Sequence, residues 1–70
     1  MPSVNNVVMI NLQSEDHDNI LIAVHNIGSI SVRDANTCYV TVQGDTMIIN
    51  RSMSKLVETL KQVGVVTVDW

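Results

Sequence analysis

The chain has 70 residues, 46% of them hydrophobic, with four Lys and Arg against seven Asp and Glu, a net charge of −3 and a pI of about 4.9. That length supports one domain, 1–70, and argues against two separate cores. The basic residues Arg33, Arg51, Lys55 and Lys61 are too few and too scattered for a phosphate-reading surface, so nucleic acid is not an expected partner.

A lone cysteine, Cys38, cannot close an internal disulfide, and two histidines without a second thiol do not make a structural zinc site, so no cofactor is expected. A chain this short buries only about 60% of the surface its unfolded form exposes, and without disulfide or metal the remaining stabiliser is self-association. No run approaches the ~20 apolar residues needed to span a bilayer, and residues 1–6 lack a basic, apolar leader. A soluble, cytoplasmic protein is expected, with no membrane partner.

Val, Ile, Leu and Met supply most of the apolar mass, with one Tyr, one Trp and no Phe, and this β-branched composition favours strands. The first run, Val7-Val8-Met9-Ile10-Asn11-Leu12-Gln13, ends at the polar cluster Ser14-Glu15-Asp16-His17-Asp18 and predicts a strand. The second, Ile20-Leu21-Ile22-Ala23-Val24-His25, is apolar without alternation, so both its faces are expected to be covered. A bend at Asn26-Ile27-Gly28 follows, with Gly28 free to take a positive φ.

From Ser29 the pattern alternates, Ile30 and Val32 on one face and Ser29, Ser31 and Arg33 on the other. Asp34-Ala35-Asn36 reads as a turn. Residues 37–43 alternate again, Cys38, Val40 and Val42 against Thr37, Tyr39, Thr41 and Gln43. The stretch Gln43-Gly44-Asp45-Thr46 predicts a tight hairpin with Gly44 left-handed, and Met47-Ile48-Ile49-Asn50 returns as the partner strand.

The period then shifts towards 3.6: Met53, Leu56, Val57, Leu60 and Val63 form one stripe on a helix over 52–63. Ser52 is the expected N-cap, with Lys55 rather than Glu at N3. Lys61 suits the negative end of the dipole and Gly64 the C′ position. Residues 65–68 read as a final short strand before Asp69 and Trp70. The expected fold is therefore α+β, mainly β: an antiparallel five- to six-stranded meander or small barrel with one C-terminal amphipathic helix and a short strand after it.

Chemistry is sparse. Glu15-Asp16-His17-Asp18 could be weighed as a hard-cation site, but its ligands lack the turn-forming spacers that let several oxygens converge, which favours a solvated loop and no metal. Cys38 with His25 or His17 as base could make a nucleophile, yet Cys38 shares its face with Val40 and Val42, which favours a buried thiol. No catalytic residue is assigned and no enzyme is expected. Arg51, Ser52, Ser54 and Lys55 cluster two cations and two hydroxyls where a helix exposes N–H groups, so they form the candidate site for a small anionic ligand such as a nucleotide. Ordinary capping is the alternative.

A single helix covers one side of a sheet, whereas the first two strands and the last are apolar on both faces. Either the sheet closes into a barrel or a second copy covers the remainder. The outward residues Tyr39, Thr41 and Gln43, with the terminal Trp70, are the candidate interface.

The spacing of Ile20, Ile27-Gly28-Ser29-Ile30, Val40-Thr41-Val42-Gln43-Gly44, Ile49 and Ser52 with Leu56 and Leu60 resembles small FlbD-like proteins associated with bacterial flagellar operons, over about residues 7–62. More remotely it is similar to the β-domain of LytTR-type regulators. The departures are Asn50-Arg51-Ser52 where acidic residues are usual, the extra tail 65–70, and the lack of DNA-contacting basic residues. The resemblance implies a non-enzymatic accessory or regulatory role in bacteria or their phages; homo-oligomerisation and contacts with another protein are expected from the two-sided strand hydrophobicity of so small a chain.

Overall fold

The computed structural model describes residues 7–68, and its elements follow the apolar pattern with shifted ends. Strands β1 (Met9–Gln13) and β2 (Asn19–Ala23) form an antiparallel hairpin in which Ile10 faces Ile22 and Leu12 faces Ile20. Those four residues turn inward: Leu12 and Ile22 are buried, and Ile10 and Ile20 pack against them. The opposite face is not covered. Leu21 is 63% exposed and Met9 44%, so the missing alternation here means apolar groups in solvent, not burial on both sides.

A 3₁₀ turn at Val24–Asn26 makes the bend expected at Gly28, and β3 (Ile27–Val32) begins earlier than the alternation indicates. Gly28 has no positive φ. It sits where the register of β3 on β4 (Cys38–Val42) slips between Ile27 and Ser29, a bulge, and a Cβ there would meet the Thr41 carbonyl oxygen at 3.4 Å. Val32 lies opposite Cys38 and so on the inner face, as its alternation requires, yet it is 60% exposed. It stands at the end of the edge strand, where nothing covers it.

Strand β5 (Asp45–Ile49) pairs with β4 through a two-residue loop, Gln43 and Gly44, with φ of 51° and 88°. Two successive positive φ values give the turn whose twist matches that of the flanking strands. Sheet order is β1-β2 in one sheet and β3-β4-β5 in the other. A single antiparallel bridge, Ser14 to Ile49, joins them: Glu15 N donates to Ile48 O (3.0 Å) and Asn50 N to Gln13 O (2.8 Å). Of the meander and the small barrel that were the expected alternatives, the barrel is not formed: among the described residues β2 and β3 remain open edges.

Helix α1 (Met53–Gln62) is a product of local signals. Ser52 Oγ accepts from Lys55 N (3.3 Å) at its start, and at its end Gly64, φ 97°, allows Gly64 N to donate to Lys61 O and Val65 N to Leu60 O, each at 3.1 Å. This pairing is the Schellman closure. Leu56 and Leu60 enter the core beside Cys38, Val40 and Ile49, while Val63 at the C-cap is 44% exposed. Residues 65–68 pair with no strand among the described residues and do not form the expected sixth strand; Val65 packs on the core, but Val66 and Val68 are more than three-quarters exposed. Among the described residues there are five strands and one α-helix, and no helix is long and apolar enough to cross a membrane.

Candidate functional site

Hairpin register builds the polar site. Because β4 and β5 pair with Cys38 opposite Ile49, extending the same register sets Asn36 beside Arg51, so the turn before β4 meets the segment leading into α1. Ala35, Asn36, Asn50, Arg51, Ser52 and Lys55 line an open cavity of about 350 Å³. Three of the four expected ligand residues come together there. Ser54 does not line it, although its hydroxyl lies 3.4 Å from that of Ser52.

Its walls are fixed from several directions. Asp34 Oδ1 accepts from Asn36 N and Thr37 N, both at 2.8 Å, which closes the turn. The Asn36 amide above all, with Thr37, holds the Asp34 carboxyl below the usual carboxylate range. Asn50 N donates to Gln13 O, and the Asn50 side-chain amide reaches Gln13 Oε1 at 3.4 Å. Ser52 Oγ already accepts the Lys55 amide, so what the cavity offers an anion is chiefly the two cations and two side-chain amides. Asn50 adjoins the residues singled out from sequence; Asn36 does not, and only strand pairing brings it there.

Other candidates separate. Cys38 is fully buried and burial pushes its thiol up, opposite to what a nucleophile needs, while His17 and His25 are exposed in the β1–β2 loop and the 3₁₀ turn. The acidic stretch does not converge: Glu15 pairs with Arg33, and His17, φ 68°, folds the loop back by donating its backbone N–H to Ser14 O. Among the described residues no three His, Cys, Asp or Glu groups gather as metal ligands.

Of the candidate interface residues, Tyr39 and Thr41 face outward on β4, Tyr39 37% exposed and Thr41 half-buried with its hydroxyl 3.1 Å from that of Thr46. Gln43 lies in the turn, not on the strand face. Trp70 is outside the described residues.

An aliphatic groove was not expected. It runs between the 3₁₀ turn and β3 on one side and the end of α1 on the other, as two adjoining cavities of about 290 and about 400 Å³ that share Val24, Ile27 and Val65. Val57 and Leu60 form its helix wall. The apolar content of 65–68 was its only trace in the sequence.

No protein-family model, no curated protein and no solved structure matches the chain.

Proposed function

We propose that this is a non-enzymatic binding protein that self-associates and acts through protein–protein contacts, as an accessory or regulatory factor of bacterial or phage origin in the cytoplasm. The observation that carries the reading is the aliphatic groove beside β3, which leaves Val24, Ile27 and Val65 only partly covered in a chain with little core to spare. The outward face of Tyr39 and Thr41 is the surface offered to a second protein. The resemblance to small flagellar-operon proteins accords with this role. Sedimentation velocity at micromolar concentration tests it: a discrete oligomer is expected, and a stable monomer sinks it.

A second reading takes its support from the cavity that Arg51, Ser52 and Lys55 share with Asn36 and Asn50. On it, a small anionic ligand such as a nucleotide binds at the start of α1. Thermal shift against inorganic phosphate and a nucleotide panel tests it, since a ligand at 100 times its Kd adds ~2.7 kcal/mol. Lys55→Glu separates binding from capping: it completes a capping box with Ser52, which raises stability by about 0.5 kcal/mol, while removing a cation from the cavity. No stabilisation by any of these anions removes the reading.

A further inference from the structure

Strand β3 is the open edge of the three-stranded sheet, and its sequence, Ile-Gly-Ser-Ile-Ser-Val, carries neither charge nor proline, two of the usual guards against edge pairing; a third, a bulge, is present only at its start, at Gly28. Arg33 N donates to Thr37 O (3.3 Å), which sets the phase of the antiparallel ladder. Residues two apart share a direction, so Ser29 and Ser31 turn their backbone groups to β4 while Ile30 and Val32 turn theirs to the open edge. No backbone bond among the described residues fills that edge. The chain's own tail passes nearby, since Thr67 and Ser29 both line the groove, yet it leaves Val66 83% and Val68 80% exposed and pairs with no strand among the described residues.

We infer that this edge pairs with the same edge of a second copy, β3 antiparallel to β3 about a two-fold axis at Ser31, giving one continuous six-stranded sheet. The inference rests on the self-association reading and specifies its geometry. Ser31 then faces Ser31 of the partner subunit, and Ile30 and Val32 of each chain face Val32 and Ile30 of the other, exchanging four backbone hydrogen bonds clear of the bulge at Gly28. The Val32 side chain, 60% exposed in the single chain, comes to rest against the inward-facing Ile30 of the partner subunit. Charge permits the approach, since Arg33 falls opposite the partner's Ser29.

The area agrees. The chain exposes 5248 Å², whereas a folded monomer of 7.7 kDa is expected to expose about 4,300 Å². The excess of about 900 Å², to which the tail at Val66 and Val68 contributes, has the sign expected of a chain with surface left to give to a partner.

The test uses the full chain. Val32→Pro removes an edge N–H without touching the β4 ladder, and with two hydrogen bonds lost per dimer it should weaken dimerisation about 30-fold or more while the circular dichroism stays native. Val32→Thr, which keeps the N–H, should weaken it less. Ser31→Cys should form a disulfide-linked dimer on mild oxidation and Ser29→Cys should not, because only the first pair lies within the about 7 Å Cα separation a disulfide tolerates. A wild-type dimer that survives Val32→Pro and is not trapped by Ser31→Cys overturns the edge pairing and leaves self-association standing. A wild-type monomer overturns both; if its Ile30 and Val32 amides also resist hydrogen exchange, the chain's own tail occupies the edge.

Discussion

The Arg33 guanidinium lies 3.0 Å from the Glu15 carboxylate, a contact that ties the loop after β1 to the end of β3 across the width of β4 and β5. Glu15 is already held by its backbone to Ile48, Ile48 is opposite Tyr39, and Tyr39 is opposite Ser31, so the ion pair passes over Tyr39 on the outer face. Glu15, and secondarily the Tyr39 phenol, keep Arg33 firmly protonated. The two side chains are a third to a half exposed, which makes this a weak, salt-sensitive tether. Glu15→Gln is expected to lower Tm by a few degrees at most in low salt, and the difference from the wild type should close in 1 M salt; a difference that persists would mean the pair acts through packing.

Burial dominates elsewhere. Leu56 is fully buried against Cys38, Val40 and Ile49, and truncating a leucine in such a site costs about 3 kcal/mol, a large part of what a chain of this size has. Leu56→Ala should bring the urea midpoint close to zero and expose β4 and β5 amides to exchange. Val57→Ala, on the half-buried groove wall, should cost less.

The hairpin turn is a place where the sequence is not optimal. Gln43 occupies φ 51°, a left-handed conformation that Asn tolerates better, so Gln43→Asn should stabilise the fold by about 0.5–1 kcal/mol in urea denaturation. Gly44, at φ 88°, has open space where a Cβ would stand, so Gly44→Ala should cost about 1 kcal/mol from backbone strain alone.

Asp34 should give stability an acid limb. Its carboxyl titrates lower folded than unfolded because the charged form accepts the Asn36 and Thr37 amides. In that window the unfolded state binds more protons, so the contribution is present above the usual carboxylate value of about 4 and is lost as the pH falls below it. The stability gap between wild type and Asp34→Asn, measured by denaturant from pH 7 to pH 2, should shrink towards zero at the acid end; a gap independent of pH would place the effect in the turn's shape.

Cys38 should give the opposite limb. With the buried thiol raised, the folded state keeps its proton longer than the unfolded one, so stability is full below the ordinary thiol value of about 8.5 and falls as the pH rises through it. Cys38→Ala should lack this alkaline loss, and a disulfide reagent should modify native Cys38 only at the rate of opening. Fast modification of the native protein would contradict the burial.

What residues 7–68 took from the sequence alone are the elements whose signals are local. The cap Ser52, the stripe Met53, Leu56, Val57 and Leu60, and the closing Gly64 define α1 almost to the residue, since each acts within four or five positions of its partner. Gly44 did the same for the β4–β5 hairpin. Tertiary structure decided the rest: that residues 65–68 stay unpaired, that the sheet divides after the Ser14–Ile49 bridge, that Val32 faces inward yet lies open, and that Asn36 joins Arg51 at one cavity. An apolar period specifies which face of a strand seeks cover, but the cover comes from elements distant in the chain, and one ten-residue helix, about 15 Å long, cannot reach the end of β3.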